Sequence, residues 1–361
     1  MKDDVLLLSG LKLSSKKPSK ETLNHPGLIQ LASGLDPYNE TPMAYLKAYE
    51  SLGIDIINRV PEENAPQPMK PGKSVWFDDK YKKAYLGLYD TYCRINYPYK
   101  NVDDFFNADD IKLDYNELVT GLVDSLNKDN INRKISIVGD IGLYYYAYYT
   151  TLFMWGVEHL GWEIFLQAIA LDPKGFKEKF LDLAFEESLK AMKLLAEIDC
   201  PFIFCHDDLA SANGPVCSPQ WYDKYIFPRY VELWEPAKRA GKKVIFIADG
   251  NMGPFLERLI EVGVDGVMLE NPATDFDLIL KHFSDKIIIC GVETNLLTFG
   301  TPEIIKKHVL NLYEKTKDLP GFAMSTPGGL HGSIPLENLE AYFDARVVTG
   351  HTLEGWKKVA K

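Results

Sequence analysis

The sequence predicts a (β/α)8 TIM barrel with an N-terminal helical and loop elaboration, and three observations lead there. β-Branched and apolar runs recur along the chain, each followed by a longer amphipathic stretch, the alternation of a parallel sheet with helical crossovers. The 361 residues, 46% hydrophobic and 25% charged, suffice for one large core and match ordinary globular composition. Several of the apolar runs end in acids, and strand ends are where a barrel of this class carries its chemistry.

Taken in order, the elements begin with a segment from Met1 to Lys20 whose apolar run, Val5 to Leu8, is too short for a signal-peptide core or a membrane span. A cytoplasmic protein without membrane contact is expected. A helix from Thr41 to Leu52 leads into Ile54 to Val60, which with Ser74 to Phe77 supplies the first two strands. The prolines Pro61, Pro66, Pro68 and Pro71 make Pro61 to Lys73 an irregular loop. Further strands are expected at Ile135 to Ile141, Phe202 to Asp207, Lys243 to Ala248, Gly266 to Glu270, Lys286 to Val292 and Phe322 to Ser325. Helices are expected at Pro173 to Ile198, Pro219 to Arg239, Met252 to Val262, Asp275 to Phe283 and Pro302 to Thr316. Ser218 before Pro219 and Thr301 before Pro302 each place a capping hydroxyl ahead of a first-turn proline. One domain, 1–361, follows, with residues 1–134 holding the elaboration and first strands and 135–350 the main barrel.

Composition excludes several functions. The net charge is −11, and no Lys and Arg cluster is interleaved with aromatics, so nucleic acid is not an expected partner. Five cysteines, an odd number spread over a long chain, argue for reduced thiols. Without a CxxC or HExxH pair, any metal site must be assembled from separate elements. Cys205 and His206 do not form a nucleophile and base, because adjacent strand residues point to opposite faces. Ser325 to Gly329 lacks the lysine and spacing of a phosphate loop. His25, His159, His282, His308 and His351 fall in helices or tails and read as solvated.

The polar strand ends are read together. They are Asp140; His206, Asp207 and Asp208; Asp249 with Asn251; Glu270 with Asn271; Glu293 with Asn295; and His331 in the last loop. Each alone also serves as a helix cap or turn former, but their convergence favours a site. The aromatic run from Tyr144 to Trp155 reads as the opening of a helix over the barrel mouth. There Tyr144, Tyr145 and Tyr148 either wall a pocket for an aromatic or cationic substrate or pack against neighbours.

Asp207, Asp208, Gly214, Pro215, Ser218, Pro219, Tyr222, Pro228, Arg229 and Asp249-Gly250-Asn251 resemble the central signature of the uroporphyrinogen-decarboxylase-like superfamily. Gly291 to Thr294 with Phe299 to Glu303, and His331-Gly332 with Pro335, Glu337 and Asn338, resemble its later motifs. The Met-Arg-Gln-Ala-Gly-Arg segment of true uroporphyrinogen decarboxylases, whose arginines hold substrate carboxylates, is absent. The resemblance therefore leans to the corrinoid-linked methyltransferase branch. That branch binds zinc through His-x-Cys and a distant Cys, whereas the matching positions here are Ile247, Asp249 and Gly329. Either the metal is lost or another set, Asp249, Glu270 and His331, holds it. Oxygen and nitrogen ligands leave zinc more electrophilic than thiolates do, which suits an ether oxygen.

The resemblance thus implies transfer of a methyl group from a small donor, a methoxylated aromatic, to the cobalt of a separate corrinoid protein. Asp207, Asp140 and His331 are the expected catalytic residues. Tyr144, Tyr145, Tyr148, Asp208, Asn251 and Glu293 are expected to bind substrate. A homodimer is left open. The alternatives are a metal-free decarboxylase or lyase using Asp207 and His331, and a non-catalytic corrinoid- or small-molecule-binding protein.

Overall fold

Eight parallel staves close the predicted barrel. They are β1 (Ser19–Lys20), β2 (Ile56–Ile57), β3 (Leu143–Tyr144 continued by Ala147–Tyr148), β4 (Phe202–His206), β5 (Lys243–Ala248), β6 (Gly266–Leu269), β7 (Ile287–Gly291) and β8 (Phe322–Ser325). The computed structural model describes residues 2–14, 16–61, 73–78, 83–88, 91–118 and 125–350. The expected loop from Pro61 to Lys73 and His351 lie essentially outside them.

The ring closes at β3. Its first half pairs with β2 and its second half with β4, and only Tyr145 and Tyr146 separate the halves. The remaining pairs run β2–β1–β8–β7–β6–β5–β4, all parallel. Helices pack outside, as parallel strands buried on both faces require. The expected strands from Phe202 onward fall in place, and the helix Pro302–Thr316 has the expected bounds. Ser218 caps its helix by accepting from the Trp221 amide, whereas Thr301 makes no such cap bond. No helix among the described residues is long and apolar enough to cross a membrane.

Three expectations change. Ile135 to Ile141 is not a strand: the segment belongs to the helix Lys128–Val138, capped by Asn127. Ile131, Ile135 and Val138 recur at helical spacing, and that period outweighs the local β-branched run. Ser74 to Phe77 joins an antiparallel sheet of Lys73–Asp78, Lys83–Leu88 and Thr91–Arg94 instead of the barrel, whose first stave is Ser19–Lys20. Much of the elaboration is therefore inserted between β2 and β3. Finally, the aromatic run is the third stave itself, and helix begins only at Met154.

Alternation then decides which side chains reach the barrel interior. Cys205 Sγ lies 3.9 Å from Met192 Sδ in the surrounding helix Asp182–Ala196, so odd-numbered β4 residues face the helices. Phe202, Phe204 and His206 consequently face inward. Through the register, so do Ala147 on β3, and Ile247 and Met268 on β5 and β6. On β1, Glu21 meets Tyr342 of the outer helix Leu336–Ala345, so Lys20 and Thr22 face inward, with Ile56 and Ser325 beside Lys20.

Candidate active site at the barrel mouth

The inward face of β4 continues past the strand to Asp208, and that of β5 to Asp249. Together with His206 these offer ligand atoms all within 4.8 Å of one another, a trio of one imidazole and two carboxylates. His206 Nε2 donates to Asp208 Oδ1 at 3.0 Å, and the Asp249 amide donates to the same oxygen at 2.8 Å. Burial opposes the charged imidazole, but Asp208, Asp249 and Asp207 together outweigh it and push His206 up to about 9. Burial raises Asp208, yet its contact with His206 wins and holds it below the ordinary carboxylate range. Asp249, the most exposed of the three, is raised by partial desolvation and by the charge of Asp208. Glu270 at the end of β6 is raised by burial and by Asp249 and Asp208. The single positive charge of His206 leaves these three acids in excess, an imbalance that a divalent ion would relieve.

Tyr149 closes one wall. Its ring meets the His206 ring edge-on at 5.0 Å, and its amide is held by the Tyr115 hydroxyl at 3.0 Å. Burial, with Glu158, Asp208 and Asp249 nearby, holds its hydroxyl well above the usual phenol range, so it stays neutral. Gly250 lets the β5 loop turn at φ 77°, and a Cβ there would strike the Ala210 carbonyl. Gly250→Ala is expected to cost about 2–4 kcal/mol of stability and to displace Asp249, measured as a lowered urea midpoint.

Of the residues expected at the site, Asp249 joins the trio and Glu270 stands beside it. The proposed set Asp249, Glu270 and His331 does not form a three-ligand group; His331 sits across the mouth, with Nε2 3.5 Å from Thr298 Oγ1. Asp207 faces the helices. Its carboxylate accepts from the amides of Leu152, Phe153 and Met154 at 2.9, 2.8 and 2.6 Å and from the Tyr230 hydroxyl at 2.6 Å. Fully buried and so occupied, it ties β4 to the loop after β3 and to an outer helix. Asp140 lies in the turn that precedes β3, at the opposite end of the barrel from the mouth.

Among the tyrosines, Tyr144 pairs with Ile57 on the outward face. Tyr148 also faces out, bonded to Ser188 Oγ at 3.1 Å and stacked on Tyr115. Tyr145 faces in but lies low in the barrel, its ring centroid 3.8 Å from that of Phe204. Asn251 Oδ1 accepts from the Gly253 amide, and Glu293 sits at the start of the helix Thr294–Phe299 without a cap bond. His25 and His308 are not solvated. His25 is a buried cap bonded to the Leu28 amide and the Ile334 carbonyl, and His308 bonds the Gly291 carbonyl. Cys205 is buried and its thiol is pushed up to about 12 by that burial, which leaves it inert.

A sequence profile described as uroporphyrinogen decarboxylase (URO-D) matches residues 149–347, more than half of the chain. The chain belongs to the uroporphyrinogen decarboxylase family. Uroporphyrinogen decarboxylase of Prochlorococcus marinus (strain MIT 9215) is 23% identical over 251 residues, covering 68% of this chain and 69% of that protein. The protein of strain NATL2A is 22% identical over 327 residues, covering 89% and 85%. The one from Pseudoalteromonas atlantica is 27% identical over 135 residues, covering 37% and 38%. Among solved structures, a methyltransferase from Methanosarcina mazei superposes with a TM-score of 0.64 at 16% identity, covering 97% of this chain and 99% of that one. At that identity the likeness is one of fold.

Proposed function

We propose that this family member is a methyltransferase that takes a methyl group from a small methoxylated aromatic and delivers it to the cobalt of a corrinoid held by a separate protein. One observation carries the reading: His206, Asp208 and Asp249 converge at the mouth as an oxygen and nitrogen donor set. The fold likeness to a methyltransferase agrees with it.

The donor set suits zinc. His206, Asp208 and Asp249, whose ligand atoms lie within 4.8 Å of one another, are the residues that would hold it. Two carboxylates and a neutral imidazole would balance the ion's charge. Bound there, zinc supplies Lewis acidity toward an ether oxygen. Asp208 also holds the Asp249 amide, and its bond to the His206 ring keeps the two side chains together where an ion would be taken up. Tyr149 presents a ring edge beside the trio and excludes water from that side. Glu270, held above the ordinary carboxylate range, is placed to carry a proton for a departing phenolate oxygen.

A second reading, metal-free acid–base catalysis as in a decarboxylase or lyase, finds support in the His206–Asp208 bond and in the relatives' activity. It does not use the pair first expected, because Asp207 is buried among four donors. A methyl-transfer screen separates the readings. Purified protein is mixed with free cob(I)alamin and a series of methoxylated aromatics, and methylcobalamin is followed by its visible absorption. Its appearance, dependent on the protein and abolished by a chelator, is expected. Failure with every donor, together with carbon dioxide release from a carboxylated substrate, would favour the second reading.

A further inference from the structure

Opposite the trio, the barrel interior carries a lysine that the proposed chemistry does not use. Lys20 is buried, at 1% exposure, on the inward face of β1, the stave four places around the ring from β5. Its amine donates to Thr22 Oγ1 at 2.7 Å. Among the described residues no carboxylate lies within ion-pair distance of it. Its neighbour Glu21 points the other way, with one oxygen taking the Tyr342 hydroxyl and the other the Thr326 amide. Beside Lys20 in the register stands Ser325, whose hydroxyl is fully buried, inward-facing and without a hydrogen-bond partner. Above them the half-buried Thr22 and Asn58 lead to the mouth, with their side chains 3.4 Å apart.

An ammonium shut away from water without a counter-charge is costly, and so is a buried hydroxyl that bonds nothing. Both costs disappear together if an anion sits between them. We propose that Lys20 and the hydroxyls of Ser325 and Thr22 form a subsite for the carboxylate of a small substrate, which is thereby anchored across the mouth from His206, Asp208 and Asp249. A carboxylate has the acceptors to match, since one oxygen takes the amine and the other takes Ser325 Oγ–H. Such an anchor fixes which end of a substrate meets the trio. Burial, acting against the weaker pull of Glu21, already lowers the Lys20 amine to about 8, and a bound anion would raise it.

The inference rests on the mouth being the substrate site, not on methyl transfer or on a metal, and its test reads neither. The Nζ resonance of Lys20, assigned by its loss in Lys20→Met, is titrated with and without formate, acetate and benzoate. Benzoate binding is compared with that of uncharged benzamide by calorimetry. The expected result is an upward shift of the Lys20 titration by at least one of the three anions. Wild type should prefer benzoate over benzamide by about 10-fold or more, Lys20→Met should show no preference, and Ser325→Ala a reduced one. Lys20→Met replaces one long unbranched chain by another and is expected to fold, as circular dichroism will show. A Lys20 titration that none of the anions moves would overturn the proposal. A charge preference that survives Lys20→Met would do so equally.

Discussion

Asp207→Ala is expected to lower the stability of the fold by about 3–5 kcal/mol, the largest loss predicted for any single side chain. The change strands the amides of Leu152, Phe153 and Met154 and the hydroxyl of Tyr230 in a place no solvent reaches. Each buried donor left unmade costs about 1–3 kcal/mol, and partial relaxation keeps the sum below the simple total. Asp207→Asn keeps the volume but sets an N–H2 group against donors, so about 2 kcal/mol is expected. Urea denaturation measures both. The comparison also separates structure from catalysis, because a positioning carboxylate of this kind lowers the midpoint in both variants while folded protein keeps its metal affinity. A catalytic Asp207 would show the reverse, with lost turnover at unchanged stability.

His206→Ala is expected to act at the other extreme, lowering the proposed methyl transfer by at least about 100-fold at nearly unchanged stability. Loss of a group that merely orients a ligand costs about 10- to 100-fold, so loss of the ligand itself sets that as a floor. Stability should hold because His206 is half-buried and its main partner, Asp208, keeps the Asp249 amide. His331→Ala should leave metal binding intact, since His331 contacts Thr298 and the Ser333 amide and not the trio. The rate and the denaturation midpoint, taken on the same preparations, check all of these.

The barrel was legible wherever strands were long. β4, β5 and β7 each carry four or more consecutive apolar residues and β6 and β8 three, and the runs place all five strands to within a residue or so. β1 and β2 are two residues each, and nothing in Ser19–Lys20 announces a strand locally; its place is set by pairing with Met324, Ser325 and Ile56. Lys20 was missed for that reason. β3 was hidden by its tyrosines, which suit a helix face or a strand equally until a partner strand decides. At the site the strand ends bring His206, Asp208 and Asp249 together, but the parity was not carried through. The alternation that separates Cys205 from His206 also separates Asp207 from His206 and Asp208, and Tyr148 from Tyr149. Applied to those pairs, it groups His206 with Asp208 on one face, opposite Asp207, and the contact of Cys205 with the outer helix then makes that face the interior. His331 is different in kind, for its loop position follows no period and had to be seen.

Zinc content, determined by elemental analysis of protein purified without chelators and dialysed against micromolar zinc, bears most directly on the trio. One equivalent per chain is predicted for wild type and for His331→Ala, with loss from His206→Ala and from Asp249→Ala. Zinc absent from wild type, or retained in His206→Ala and lost in His331→Ala, would contradict the account.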